Sequence, residues 1–169
     1  ATIKRMIEDS NSFLVIDHHK SAMVELHDIS NTYFDMTKSG AMLAWEWFYP
    51  ARDAPGIINH IEDRDLWAFN YDGTKAVCAA LYSHEFSFPL WSELATDIDS
   101  LMDQGMALLR AHDKDVQGML KYAREVDIAG HNVPLLNCQP KYSSDVGNAL
   151  AKGQPFAATY SDTASRRVF

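Results

Sequence analysis

The sequence has few cysteines, no long apolar run and no cluster of basic residues. Its cysteines, Cys78 and Cys138, are far apart and lack metal-ligand spacing, so we expect core thiols in a reducing compartment. No apolar segment approaches the ~18 residues of a membrane span and no signal peptide is visible, which predicts a cytoplasmic protein without a membrane partner. The net charge of −8 argues against a strong binder of duplex nucleic acid.

A short apolar segment that runs into three polar residues is the main functional signal. Residues 13–16 are apolar, and Asp17, His18 and His19 follow directly. An uninterrupted run of this length predicts a buried parallel strand. Open parallel sheets bind ligands at the carboxyl ends of their strands. The three side chains are therefore candidates for a metal ligand, a substrate contact and an orienting carboxylate.

Two helices predicted after this strand add polar groups. Residues 37–48 predict a helix capped by Thr37 or Ser39, and an amino terminus containing Ser39 and Gly40 is a candidate anion seat. A second helix is predicted from Pro55, with Ile57, Ile58 and Ile61 on its inner face.

The second helix ends in the acidic segment 62–67. Asp63 and Asp65 alternate there with Arg64, and either carboxylate is a suitable oxygen ligand for a divalent cation. A solvated helix end with a salt bridge is the alternative interpretation.

The remaining sequence predicts further helices and strands. Residues 86–91 form an aromatic patch without interleaved Arg or Lys, which favours a core or an interface over a base-stacking platform. Residues 112–115 are expected to be a solvated helix face. The other predicted elements are a helix at 2–9, a loop at 21–30, a strand at 32–34, a helix at 76–82, a hairpin at 127–137 with its turn at 131–132, a helix at 142–151, and strands at 156–160 and from 165.

These patterns predict an α/β protein in which a long helix joins two units. The first unit, residues 1–96, is helix-rich with a parallel sheet. The connecting helix covers residues 97–126, and a smaller α/β unit begins at 127 and continues to 169. Neither end of the sequence looks like a domain terminus, so we expect an internal fragment in which both units are incomplete.

The ordered segments resemble the DHH phosphoesterase superfamily. They are the Asp17-His18-His19 motif after a strand, the Ser-Gly helix start, and the segments 62–67 and 144–151. The superfamily includes RecJ-type exonucleases, oligoribonucleases of the nanoRNase kind, cyclic-dinucleotide phosphodiesterases and family II inorganic pyrophosphatases. The resemblance covers essentially the whole chain, and segment 144–151 would lie in the substrate-binding domain called DHHA1. It implies hydrolysis of a phosphodiester or phosphomonoester of a nucleotide, a short oligonucleotide or another small phosphate-containing molecule.

The resemblance also implies a site for two divalent cations, usually manganese, with magnesium, cobalt or zinc as alternatives. His18 would be a metal ligand, His19 would face the scissile phosphate, and Asp17 would orient the pair. Asp65 would complete the metal's ligand shell, because its spacing to Phe69 resembles an Asp-x-x-x-Phe motif of the superfamily. Asp63 is the alternative metal ligand.

Ser39, Gly40 and Arg64 are the candidate contacts for the substrate phosphate. The His-x-x-x-Asp-x-Asp motif, the separate bridging aspartate that normally precedes Asp17, and a later Gly-Gly-Gly-His loop are missing from this sequence. We therefore expect this chain alone to bind metal weakly and to be inactive.

Two other interpretations stay open. One is a non-catalytic binding or scaffolding module with a DHH-like fold, and the other is a purely structural role for His18 and His19. Trp45, Trp47 and the aromatic patch are candidates for a homodimer interface.

Overall fold

The computed structural model describes residues 2–162 and 167–168 and shows a mixed α/β protein. The chain divides into two compact units, residues 1–108 and residues 109–169. Each unit contains helices and a small sheet within its described residues. None of the described helices has both the length and the apolar character that a bilayer-crossing segment needs.

The first unit contains a two-stranded parallel sheet followed by several helices. The pairs Val15–Thr32, Ile16–Tyr33 and Asp17–Phe34 set the register of the sheet. The elements of this unit, in chain order, are α1 (Thr2–Asp9), β1 (Val15–Asp17), α2 (Lys20–Glu25), β2 (Thr32–Phe34), α3 (Gly40–Phe48), α4 (Gly56–Asp65), α5 (Thr74–Leu81), α6 (Phe88–Leu94) and the beginning of α7 (Ile98–Leu120).

Most of the predicted elements of this unit are confirmed, with shifted ends. The strand predicted at 13–16 begins at Val15 and includes Asp17, and its side chains are only partly buried. The prediction of a loop at 21–30 is partly wrong, because α2 covers the first residues of that range. Ala22 and Met23 of α2 are half-buried, so packing supports a helix that a six-residue segment does not form alone.

The core of the first unit lies where α4, α5 and α7 meet. Ile57 comes from α4, Leu81 from α5 and Leu101 from α7, and all three are buried. The prediction that the isoleucines of α4 face inward is confirmed. The apolar side chains packed against this core are Ile58, Ile61, Trp91, Leu94, Ala95, Ile98 and Met102.

The aromatic patch around α6 divides between the core and the surface. Trp91 packs against the core, whereas Phe86 and Phe88 are 71% and 77% exposed. The rings of Phe86 and Trp91 lie 5.0 Å apart. The prediction of a core or interface patch is therefore confirmed for Trp91 as a core residue, and an interface role for the two phenylalanines stays a prediction.

The long helix α7 ends earlier than the sequence predicts. It covers Ile98–Leu120, and residues 124–126 of the predicted helix belong to the next strand instead. Val126 pairs with Val133 across a hairpin. The apolar pattern suited either structure, and pairing with the next strand of the hairpin decided in favour of the strand.

The second unit contains a four-stranded sheet in the order β3-β4-β5-β6. The β3–β4 and β5–β6 pairs are antiparallel, and β4–β5 is parallel. Ser165, Arg166 and Phe169 of the strand predicted from 165 lie outside the described residues. The elements after α7 are β3 (Arg124–Ile128), β4 (His131–Asn137), α8 (Pro140–Leu150), β5 (Ala158–Asp162) and β6 (Arg167–Val168).

The hairpin turn lies two residues before its predicted position. Ala129 and Gly130 connect β3 to β4 with φ of 55° and 82°, while His131 and Asn132 already belong to β4. Positive φ at both positions is the geometry of a tight two-residue hairpin, and it suits Gly130. The prediction of a turn at His131-Asn132 is wrong, because the pairing of β3 with β4 continues through both residues.

A second core lies between α7, the sheet and α8. Val116, Leu136 and Val146 are buried there, together with Cys138. Cys78 is buried in the first unit, and both cysteines are free thiols. Burial raises the pKa of both thiols, that of Cys78 to about 11, which agrees with their predicted place in the core.

The cluster at residues 112–115 is not uniformly solvated. His112 is half-buried, and its Nε2 lies 3.0 Å from Oδ2 of Asp145 on α8. The hydroxyl of Tyr142 donates to Asp115 over 3.0 Å. The prediction of a solvated face is thus wrong for His112, because α8 packs over this side of the helix.

Candidate metal centre

The short strand β1 positions the centre by ending in Asp17. The backbone leaves the sheet at His18, and α2 begins at Lys20 with His19 as its amino-terminal cap residue. The side chains of Asp17, His18 and His19 are therefore grouped at a strand-to-helix junction. This is the carboxyl end of a parallel strand, where α/β sheets commonly bind ligands.

Asp17 organises the junction through one of its two carboxylate oxygens. Oδ1 accepts the backbone N–H of His18 at 2.7 Å, the backbone N–H of His19 at 3.3 Å, and the His19 Nδ1 at 2.8 Å. Burial raises the pKa of Asp17, but these hydrogen bonds outweigh burial and hold the pKa below its usual value. Among the described residues, no hydrogen bond engages Oδ2 of Asp17, so this oxygen is available to a cation.

The hydrogen bond that Asp17 accepts from His19 also affects the protonation of the His19 ring. The hydrogen bond and the charge of Asp17 raise the pKa of His19 above its usual value. When Nδ1 carries the proton donated to Asp17, the lone pair of the neutral ring is on Nε2. A carboxylate that holds one ring nitrogen in this way fixes which nitrogen can meet a metal or a substrate.

His18 turns toward the carboxyl end of α4. Its Nε2 lies 3.4 Å from Oδ2 of Asp65, and its ring contacts that of His19 at a centroid distance of 4.3 Å. The His18 side chain is 16% exposed, whereas that of Asp65 is 45% exposed. The structure thus brings together Asp17, His18, His19 and Asp65, which lie in two distant segments of the sequence.

The donor set fits a divalent cation. One ligand atom from each of Asp17, His18 and His19 lies within 4.8 Å of the other two. Ligands bound at about 2.1 Å from one ion are up to about 4.2 Å apart, so small side-chain movements are enough for joint binding. Imidazole and carboxylate ligands suit manganese, zinc and cobalt.

The second acidic candidate, Asp63, is used inside the fold. It is 4% exposed, and its carboxylate accepts the backbone N–H groups of Asn70 and Tyr71 at 2.6 and 3.1 Å and the hydroxyl of Thr74 at 2.5 Å. Burial raises the pKa of Asp63, but these hydrogen bonds lower it by a larger amount. The pKa of Asp63 is therefore below its usual value. Asp65, not Asp63, is the carboxylate that approaches His18.

The predicted anion seat at the start of α3 holds a carboxylate of the protein itself. Glu62 Oε2 accepts the backbone N–H of Ser39 at 2.9 Å and its hydroxyl at 3.3 Å. Ser39 is buried and caps α3, as the sequence suggested, by accepting from the Met42 N–H. A substrate anion would have to displace Glu62 to reach Ser39. A side chain added at Gly40 would meet open space.

The loop that joins α4 to α5 contains two aromatic residues for which the residue pattern predicted no binding role. Trp67 and Phe69 have φ of 57° and 51°, and the Arg64 guanidinium carbon lies 5.3 Å from the Trp67 ring centroid. Bulky aromatic residues rarely occupy this left-handed region, so no residue pattern predicts them there. The Asp72-Gly73 pair was the available signal, and it marks only the end of the loop.

Comparison with known proteins adds a relative but not a function. No family model matches the sequence, and no solved structure matches it. The chain is 34% identical over 164 residues to a protein of Acanthamoeba polyphaga mimivirus named Uncharacterized protein R106. The aligned region is 91% of this chain and 38% of the viral protein, so the chain spans well under half of that relative's length.

Proposed function

We propose that this chain carries part of the active site of a metal-dependent phosphoesterase of the DHH type. The observation that supports this proposal is the grouping of Asp17, His18, His19 and Asp65 at the end of β1. The two segments that carry these residues, 17–19 and 62–67, are among the segments whose order resembles the superfamily. The substrate class of the proposal is a phosphate ester of a nucleotide or a short oligonucleotide.

Each residue of the centre has a role in this proposal. His18 and Asp65 hold a divalent cation, with manganese as the first choice, and Oδ2 of Asp17 is the available third ligand atom. A cation bound there supplies Lewis acidity toward a phosphoryl oxygen and offsets its negative charge. His19, held through Nδ1 by Asp17, donates a hydrogen bond from Nε2 to that phosphoryl group when its ring is protonated, and the raised pKa of His19 favours this form.

The overall negative charge of the protein is compatible with an anionic substrate. The chain has 15 basic and 23 acidic residues, so long-range attraction does not favour a phosphate ester. Cations bound at a cluster of carboxylates and imidazoles reverse the sign of the charge locally. The proposed enzyme therefore needs its metal for substrate binding as well as for catalysis.

Metal binding is the first test, and it uses the 169-residue chain. We expect isothermal titration with Mn²⁺ to show binding that His18→Ala and Asp65→Asn each weaken by at least about tenfold, since loss of even a residue that hydrogen-bonds a ligand typically costs that much. His27→Ala is the matched control, because His27 is exposed and its ring contacts Asp28 and the Val24 carbonyl. Equal Mn²⁺ affinity in the wild type and His18→Ala would refute the ligand role.

Hydrolysis is the second test, and it uses the complete gene product that contains this chain. We expect Mn²⁺-dependent cleavage of bis-p-nitrophenyl phosphate or of a dinucleotide, lost on chelation and reduced at least about a hundredfold by His19→Ala. The 169-residue chain alone should bind Mn²⁺ without robust hydrolysis. Intact metal binding with no hydrolysis in the complete product would favour a non-catalytic binding module instead.

A further inference from the structure

The loop after the metal centre holds two aromatic side chains in an unfavourable backbone conformation. We call residues 66–73, between α4 and α5, the aromatic loop. Both of its aromatic residues with positive φ, Trp67 and Phe69, have side chains that disfavour the left-handed region. A backbone held in such a region costs free energy, and sites with this cost are concentrated where proteins bind or react.

The fold holds this conformation in place from one buried residue. The backbone carbonyl of Asp63 accepts the N–H of Ala68 at 2.9 Å and of Phe69 at 3.4 Å. Its carboxylate accepts the next two backbone N–H groups, those of Asn70 and Tyr71. The side chain and backbone of Asp63 together thus bind four successive N–H groups of the aromatic loop.

Core packing does not account for the two rings. Neither Trp67 nor Phe69 is among the side chains that pack against the described core of the first unit. Both are partly exposed, and their rings meet edge to face at a centroid distance of 5.2 Å. The two rings therefore do not belong to that core, and each is partly open to solvent.

A cationic side chain lies over one face of each ring, which leaves the opposite face for a base. The Arg64 guanidinium carbon is 5.3 Å from the Trp67 centroid, and the Lys75 ammonium is 4.6 Å from the Phe69 centroid. Aromatic faces with neighbouring cations are the combination that binds single-stranded nucleic acid, since bases stack on the rings and cations attract the backbone. Among the described residues, no cationic side chain lies over the rings of Phe86 or Phe88.

The aromatic loop begins next to the proposed metal centre. Asp65, whose carboxylate is 3.4 Å from His18, precedes Trp67 by two residues. Two residues of backbone span at most about 7 Å. The backbone of the aromatic loop therefore begins close enough to the centre for one nucleotide to reach from a phosphate at the centre to the loop.

We propose that Trp67 and Phe69, flanked by Arg64 and Lys75, bind the base of a nucleotide whose phosphate lies at the Asp17–Asp65 centre. The position of the phosphate rests on the proposed function, whereas the base site rests on the aromatic loop itself. Recognition is by stacking and is tolerant of base identity, because every base has a π-face. The substrate class is then a nucleotide or a short single-stranded oligonucleotide rather than a base-free phosphate ester.

The test compares ligands that differ only in the base. With Mn²⁺ present, we expect the 169-residue chain to bind 5′-AMP about 5- to 150-fold more tightly than ribose 5-phosphate, the range of one base stack. Trp67→Leu and Phe69→Leu should each reduce this ratio toward one without changing the Mn²⁺ affinity. Leucine disfavours positive φ as tryptophan does, so the substitution removes the ring and keeps the backbone cost similar.

Trp47→Leu is the matched control, because Trp47 is 50% exposed in the same unit and its ring contacts Tyr33 instead. It should leave the ratio unchanged. An AMP affinity equal to that of ribose 5-phosphate, or a ratio that survives in folded Trp67→Leu and Phe69→Leu, would overturn the base site.

A titration with adenosine distinguishes failure of the base site from failure of the proposed metal centre. Adenosine titrated in the presence of a chelator measures the base site without phosphate or metal. Adenosine binding lost in Trp67→Leu supports the base site even if His18→Ala leaves the Mn²⁺ affinity unchanged. Adenosine binding that is equally strong in the wild type and Trp67→Leu overturns the base site, whatever the result with metal.

Discussion

A single buried carboxylate, Asp63, organises the backbone beyond the end of its own helix. Its oxygens accept two backbone N–H groups and one hydroxyl, all within 3.1 Å. Thr74, which supplies the hydroxyl, also contacts His60 Nδ1 at 2.8 Å. Burial lowers the pKa of His60 below its usual value, which favours the neutral ring beside these groups. Asp63 is thus a structural residue that positions the segment after Asp65.

The first prediction concerns the loss of this carboxylate. Asp63→Asn places an amide N–H₂ where a second acceptor is needed, so it leaves at least one buried donor without a partner. We expect the free energy of unfolding at pH 7 to fall by roughly 2–3 kcal/mol. Urea denaturation measures this loss, and Asp53→Asn is the control because Asp53 is exposed. A loss in Asp63→Asn no larger than in the control would contradict the structural role.

The same substitution should also change the dependence of stability on pH. The pKa of Asp63 is lowered in the folded protein from 3.8, so its stabilising contribution is present above about pH 4. That contribution is lost as the pH falls through the lowered folded value. We therefore expect the stability difference between the wild type and Asp63→Asn to shrink on acidification from pH 7 to pH 3. A constant difference would show that ionisation of Asp63 does not contribute.

At the scale of elements, α5 and α7 approach so closely that their backbones are in contact. A Cβ atom at Gly105 of α7 would overlap the backbone carbonyl oxygen of Ala76 on α5. Gly118, on the same helix, has no atom within 4 Å of the equivalent position. The two glycines of α7 therefore serve different purposes, since only Gly105 is needed for packing.

The second prediction follows from this contrast. Gly105→Ala forces α5 and α7 apart and should reduce the free energy of unfolding by at least about 1–3 kcal/mol, the usual range for overpacking. Gly118→Ala should raise it by roughly 0.5–1 kcal/mol, because alanine is the better helix former. Chemical denaturation of the two variants checks both signs. Destabilisation by Gly118→Ala that equals that of Gly105→Ala would mean that the close approach is not the cause.

At the scale of the whole molecule, the two units have separate cores. Leu81 is fully buried in the first core, and Leu136 is 3% exposed in the second. No residue of one described core cluster belongs to the other. The units are nevertheless continuous in sequence through α7, since the division at residue 108 falls inside that helix.

The third prediction is that each core protects its own unit. Leu81→Ala and Leu136→Ala remove the same atoms, and each should destabilise by about 2–5 kcal/mol. Hydrogen exchange should accelerate mainly in α4 and α5 for Leu81→Ala, and mainly in β4 and α8 for Leu136→Ala. Equal acceleration throughout both units in either variant would show a single cooperative unit instead.

The sequence by itself determined the elements with strong periodicity and the candidate centre. The apolar spacing of α4, the capping serine of α3 and a parallel strand before His18 are local patterns, and the structure confirms each of them. The strand is shorter and less buried than predicted. The roles of Asp17, His18, His19 and Asp65 as a metal centre stay predictions, although their predicted proximity is now observed. Local patterns succeed here because backbone sterics and the burial of one face act within a few residues.

Only the tertiary structure decided which carboxylate approaches His18 and how the neighbouring groups are used. The sequence left Asp63 and Asp65 as alternatives, and the fold assigns Asp63 to the aromatic loop and brings Asp65 to 3.4 Å from His18. It also placed Glu62 on the predicted anion seat and brought Asp145 to His112. Each of these contacts joins residues whose pairing depends on how helices pack, and that geometry is not encoded in a local residue pattern.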